Sequence, residues 1–311
     1  MKLMKKFGAL LLALTMVSAL AACSDQGAKD SAEPSKAPET QSAAPAQSAA
    51  PAESAEPSQG GAAISVYTNA YFAPFEYYDG TDITGVDVDI MNKVGEKLGR
   101  EVTYTNVEFA TIIDTVSSGK LADVGAAGIT IIPSRQERVD FSDPYFTSVQ
   151  YVIYPNGEMA PDGTDGDVDY ILWDSLAGKK IGVQTDTTGD IYVNGEITGE
   201  DFDGLLKDTG ASETRYDNAQ LAVDAMGAGQ VDVVVVDYLP ASYIVEKNSG
   251  YACAALYYPG GEGEQPSPTE EQYAICVTKG QDELLSAINE VLAELGEDGI
   301  NALVMEHMGL E

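Results

Sequence analysis

Val231-Asp232-Val233-Val234-Val235-Val236-Asp237 decides the fold class of this chain. A run of β-branched apolar residues set off by Gly229-Gln230 is too short for a helix, and it lacks the polar alternation of a half-exposed strand. It reads as a strand covered on both faces, the usual condition in a parallel sheet flanked by helices. A helical pattern over Ala219 to Met226 precedes it. Working outward, Ile181 to Gln184 reads as a strand and a helix opens near Thr188. Earlier in the chain, predicted strands at Ile64 to Thr68, Val102 to Asn106 and Asp123 to Ala127 alternate with predicted helices from about Val88 to Leu98 and Ile112 to Ser118. At the far end, a strand over Ala274 to Thr278 leads to helices from about Asp282 to Leu295 and Gly299 to Met308. The alternation predicts an α/β chain with largely parallel sheets, arranged as two lobes.

The start of the chain has a different character. Lys2, Lys5 and Lys6, an apolar stretch from Phe7 to Leu20, and Leu20-Ala21-Ala22-Cys23 describe a secretory signal over residues 1–22. Leu-Ala-Ala-Cys is similar to the lipobox of bacterial lipoproteins, which makes Cys23 the expected lipid-bearing N-terminus. Residues 23–62 are rich in Ala, Pro, Ser and Glu and poor in large apolar side chains, so they are expected to stay disordered as a tether. The reach of such a segment is on the order of 30 Å.

The remaining residues are enough for two lobes. The formal charge of the chain is −33, which argues against nucleic acid and against adsorption to anionic lipid. Cys253 and Cys276 are compatible with an exported disulfide or with two buried thiols.

Arg135 is one of four arginines and follows Gly128-Ile129-Thr130 closely. A guanidinium fork near a hydroxyl and a glycine N–H suits a carboxylate, although an ion pair with Glu137 or Asp140 fits the same sequence. His307, the only histidine, lies near the C-terminus, and neither zinc spacing nor a phosphate loop is present. The acids Asp162, Asp165, Asp167 and Asp169 miss the EF-hand spacing and read as a solvated insertion.

Several segments in order resemble the extracellular solute-binding proteins of amino-acid ABC transporters, family 3. They are Asn69-Ala70-Tyr71-Phe72-Ala73-Pro74-Phe75-Glu76, Gly85-Val86-Asp87-Val88-Asp89, Gly128-Ile129-Thr130 with Arg135, Asp140-Phe141-Ser142-Asp143-Pro144-Tyr145, Gly182-Val183-Gln184 through Asp190, and Glu271-Gln272-Tyr273-Ala274-Ile275. The resemblance implies a two-lobe, type II periplasmic-binding-protein-like α/β fold with two hinge strands and a ligand cleft. It implies lobe 1 over residues 63–151 and 275–311, and lobe 2 over 152–274.

By position, the resemblance puts Arg135 and Thr130, with the backbone at Gly128, on a ligand α-carboxylate, and Thr188 with the Thr187 turn on the same group from the second lobe. Asp237 is implied for the α-ammonium, Phe72 and Phe109 for the walls around the ligand side chain, and Asn69 for selection. Asp87, Asp89, Ser142 and Asp143 read as structural. Asp186 departs from the small residue usual in the family.

The implied protein is a monomeric, lipid-anchored receptor on the outer face of the cell membrane. It captures a polar or broadly selected free amino acid for an ABC permease and its ATPase, and needs neither cofactor nor metal. A sensor domain and a cyclohexadienyl dehydratase-like enzyme are the alternatives on the same fold; the lack of a catalytic set favours a binder.

Overall fold

The computed structural model describes residues 61–200 and 203–310. The expected signal segment, Cys23 and nearly all of the tether lie outside the described residues.

The first sheet has the order Val102–Asn106, Ile64–Thr68, Val124–Gly125, Cys276–Val277, Asp140–Phe141. Its first three strands are parallel, while Cys276–Val277 runs against both of its neighbours. The second sheet has the path Ser212–Tyr216, Lys180–Gln184, Val233–Asp237, Phe146–Pro155, Tyr251–Tyr258, Val168–Leu172, Gly163–Asp165.

The valine strand is buried at every position. Side-chain alternation divides it between two cores. Val233 and Val235 pack with Trp173, Ile181 and Leu256, whereas Val234 and Val236 pack with Ala222, Val223 and Met226. Each valine so enclosed contributes about 1.5 kcal/mol or more through apolar burial.

The sheets are mixed, not largely parallel as expected. Val233–Asp237 is parallel to Lys180–Gln184 but antiparallel to Phe146–Pro155. Phe146–Pro155 arrives directly from the first lobe without a helical crossover, so it lies against the valine strand in the opposite sense. Burial on both faces reports the covering layers and carries no information about strand direction.

Two strands carry the chain between the lobes. Phe146–Pro155 leaves the first lobe and Glu270–Tyr273 returns beside it, paired antiparallel from Glu270 opposite Val149 to Tyr273 opposite Phe146. Their side chains reach the floor of the cleft.

Helix boundaries follow local chemistry. The expected break near the C-terminus falls at Gly296 (φ 59°, ψ −176°), inside the segment Asp282–Met308. The helix Phe109–Ser118 begins earlier than predicted and thereby includes Phe109. The acidic insertion folds as the hairpin Gly163–Asp165 with Val168–Leu172, and Asp162 accepts the Leu172 N–H and the Ser175 hydroxyl, each at 2.8 Å. Cys253 and Cys276 are free thiols on different sheets, and burial pushes them up to about 11 and about 12 respectively.

Asp87 fastens the helix Val86–Leu98 to the loop at Gly128. Buried in the first turn, it accepts the Gly128 N–H at 2.9 Å and the Tyr145 hydroxyl. Ser142, Asp143 and Asp89 are likewise engaged with Ile275, Asn289 and His307. Burial raises Asp87 from its ordinary 3.8 to about 6, against those two hydrogen bonds. A carboxyl that titrates higher when folded stabilises fully below its unfolded value, and that contribution is lost as pH rises through about 6. Asp87→Asn should therefore gain about 2 kcal/mol relative to the parent between about pH 4 and 7, read as the difference between urea melts at the two ends.

Candidate functional site

Gly128 turns the chain at φ 54°, and a Cβ there would lie 2.9 Å from the Phe72 ring, so the backbone and the aromatic wall are in direct contact. The turn presents Thr130. Five residues on, Arg135 lies in the short helix Pro133–Gln136 and is only 6 % exposed. It pairs with neither Glu137 nor Asp140. Its Nη1 donates to the Thr130 carbonyl at 2.9 Å and its Nη2 to the Asp186 carbonyl at 2.8 Å, and its Cζ lies 5.4 Å from the centre of the Phe109 ring.

The second lobe supplies the facing loop. Asp186 adopts φ 60°, a left-handed conformation that Asp tolerates better than most residues. Its N–H donates to Asp190 Oδ2 at 2.8 Å, and Asp190 is clamped by Arg215 from Nε and Nη2. Thr187 caps the helix Thr188–Thr198 by accepting the Asp190 N–H, and its hydroxyl donates to the Gln184 carbonyl. Thr188 then stands at the N-terminus of an eleven-residue helix, where positive partial charge collects.

Among the described residues, three hydrogen bonds cross the cleft. Thr130 and Thr188 bring their hydroxyl oxygens to 2.9 Å, Arg135 reaches Asp186, and Gln184 Nε2 donates to Asn69 Oδ1 at 3.0 Å. Asn69 is also held to the Val107 carbonyl by its own amide at 2.7 Å. Asn69, Phe72, Phe109, Gly128, Thr187, Thr188 and Asp237 line one narrow cavity, with Thr130 and Arg135 adjoining it. All nine sequence-predicted cleft residues therefore come together.

Asp237 ends the valine strand and directly precedes the helix Tyr238–Lys247, yet its side chain makes no capping bond. It is 3 % exposed and accepts Gln150 Nε2 at 3.0 Å. Burial, reinforced by nearby Glu271, holds its carboxyl well above the usual range. Glu76 lies behind the aromatic wall, fully buried and without a hydrogen-bond partner for either oxygen, and burial holds it well above the usual range too.

Gln184, Gln150 and Glu271 belong to the site, although sequence reasoning assigned them no role. Gln184 and Glu271 sat inside recognised motifs, and Gln150 follows Ser148 and Val149 in the crossing strand. Alternate burial in that strand, with Ser148 and Gln150 inward, was the available signal.

Arranged in this way, the cleft offers a guanidinium, two hydroxyls and a helix N-terminus toward an anion, and a buried carboxyl toward a cation. The side-chain wall between Phe72 and Phe109 is apolar, with amides at its end. His307, by contrast, is fixed away from this cavity between Tyr77 and Asp89.

Known proteins with similar sequences and structures have related roles. A probable histidine-binding protein of Neisseria gonorrhoeae is 28 % identical over 297 residues, covering 95 % of this chain and 92 % of that one. The L-cystine-binding protein TcyJ of Escherichia coli is 25 % identical over 229 residues, 73 % of this chain and 75 % of its own. Among solved structures, an ancestral arginine-binding protein bound to arginine superposes with a TM-score of 0.64 at 32 % identity, covering 78 % of this chain and 96 % of that one. The model of the bacterial extracellular solute-binding proteins, family 3, matches residues 64–309, and the chain belongs to that family.

Proposed function

We propose that this protein is the substrate-binding component of an ABC importer, capturing a free amino acid between its lobes and handing it to a membrane permease served by an ATPase. One observation carries the reading. Thr188 and Asp237 line one cavity, and Arg135 adjoins it from the other lobe through Thr130, whose carbonyl accepts its guanidinium and whose hydroxyl meets that of Thr188. That is the charge pattern of an α-amino acid. The names of the relatives, which bind histidine, cystine or arginine, agree with it.

In this reading the ligand carboxylate takes over the Arg135 fork and the Thr130 and Thr188 hydroxyls, with the N–H groups around Gly128 and Thr188 completing the shell. Asp237 receives the ammonium. Phe72 and Phe109 enclose the side chain, and Asn69, locked to Gln184, tests its far end. The ligand is a polar or broadly selected amino acid. Closure rotates lobe 2, residues 152–274, against lobe 1, residues 63–151 and 275–311, and the ligand favours the closed arrangement only by its greater affinity for it. The protein binds and does not catalyse; the placement of His307 outside the cavity supports this. It works outside the cell membrane as a monomer, exported by residues 1–22 and anchored through a lipid on Cys23.

Arg135→Ala should cost about 2 to 5 kcal/mol of binding to L-histidine, L-arginine or L-cystine in calorimetry, with the folded circular-dichroism spectrum retained. Unchanged affinity would sink the assignment. Asn69→Asp should shift preference toward amino acids with cationic side chains, measured as relative thermal shifts across the same panel. Expressed in a bacterial host, Cys23→Ser should move the protein from the membrane fraction to the soluble one.

A further inference from the structure

Asp237 has a companion. Glu271, on the returning strand Glu270–Tyr273, is 5 % exposed and arrives at the floor of the same cleft. Gln150, fully buried on the outgoing strand, joins the two acids through a single nitrogen, its Nε2 donating to Glu271 Oε1 at 2.5 Å and to Asp237 Oδ1 at 3.0 Å. The other Glu271 oxygen accepts the Thr130 hydroxyl at 2.6 Å.

Acceptors outnumber donors in this cluster. Four carboxylate oxygens share one amide, the Thr130 hydroxyl and the neighbouring Tyr273 hydroxyl, and Gln150 Oε1, itself buried, has no donor. The nearby guanidinium of Arg135 hydrogen-bonds the carbonyls of Thr130 and Asp186 and neither acid, so it reaches Glu271 and Asp237 through its charge alone. The remaining ionisable groups that bear on the pair are Glu76, Tyr192 and Tyr273, which bring no positive charge. Two carboxylates held against one amide repel each other when both are ionised, so they are best satisfied by sharing a proton or by receiving a cation rich in N–H groups. An ammonium offers three donors and one unit of charge.

We propose that Glu271 is a second carboxylate for the ligand's α-ammonium, acting with Asp237 across the Gln150 amide, and that ligand capture expels the proton the two acids share. This rests on the amino-acid reading of the cleft and adds to it a residue and a proton. The proton balance is simple: the entering ammonium keeps its own hydrogens, the shared proton passes to solvent, and no covalent bond to carbon changes. Burial, and then Glu271, hold the Asp237 carboxyl well above its usual range, in the sense a shared proton requires. Protons then compete with the ammonium, so affinity falls as pH falls.

The test titrates the full chain with L-histidine, L-arginine, L-glutamine and L-cystine by calorimetry near pH 7, in phosphate and in Tris. The wild type should release protons on binding, seen as an enthalpy that depends on the buffer, and its affinity should weaken toward about pH 5.5. Glu271→Gln should bind at least about tenfold more weakly and lose the buffer dependence. Its unliganded melting temperature should be unchanged or higher, because the Gln amide brings donors to a cluster short of them. Equal affinity and equal proton release in Glu271→Gln overturn the proposal. So does a wild-type enthalpy independent of buffer together with a flat pH profile, a result available even if the variant fails to fold. If none of the four amino acids binds the wild type, the wider reading falls and takes this one with it; if they bind both proteins alike, only the role of Glu271 falls.

Discussion

A guanidinium withdrawn from water has to be answered by oxygen, and much of the cleft follows from meeting that demand at Arg135. With the side chain 6 % exposed, unanswered N–H groups would cost several kcal/mol. The answer comes from two backbone carbonyls, one from each lobe, Thr130 and Asp186. The same pair of bonds therefore satisfies the charge and ties the lobes together. Asp186 offers its carbonyl from a left-handed turn, which is held by Asp190, and Asp190 is in turn clamped by Arg215. One buried cation thus orders a loop, a helix start and an exposed arginine in sequence.

The arginines of this acidic chain divide along the same line. Arg138 pairs with the exposed Asp114, the exposed Arg215 reaches in to the buried Asp190, and Arg100 bonds to carbonyls of the first described residues. Arg135 is the buried one and rests on carbonyls. A carbonyl is a weaker partner than a carboxylate, so the ligand carboxylate proposed for this site would gain by displacing it. Placed against Asp237 or Glu271 directly, the same guanidinium would already be neutralised and have less to gain.

Much of this was legible in the chain. The valine run marked a doubly covered strand, and the family resemblance grouped Gly128, Thr130 and Arg135, whose types alone left Arg135 equally open to an ion pair with Glu137 or Asp140. Strand direction was not legible. Val233 to Val236 look the same whether Phe146–Pro155 runs with them or against them, since only the connection sets direction. Glu271 and Gln150 were hidden for a related reason. They gain meaning from a register, Glu271 opposite Ser148 with Gln150 two residues along, and registers between distant segments are not written in either segment alone. The Asp237 carboxyl, which its sequence position also allowed to be a helix cap, turned inward because the Gln150 amide was there to receive it.

The facing hydroxyls of Thr130 and Thr188 carry a consequence for traffic across the membrane. Two neutral hydroxyls, an amide pair and a guanidinium on a carbonyl make the shut cleft tolerable by itself, the neutral contacts worth about 1 kcal/mol net each and the charged one about 1.5 to 3. A permease that gauged its visitors by shape alone would then also admit unladen carriers and turn over idly. Economy in such a system depends on how far the cargo deepens the shut state beyond what the lobes achieve unaided, and the modest strength of those three contacts leaves that margin to the cargo.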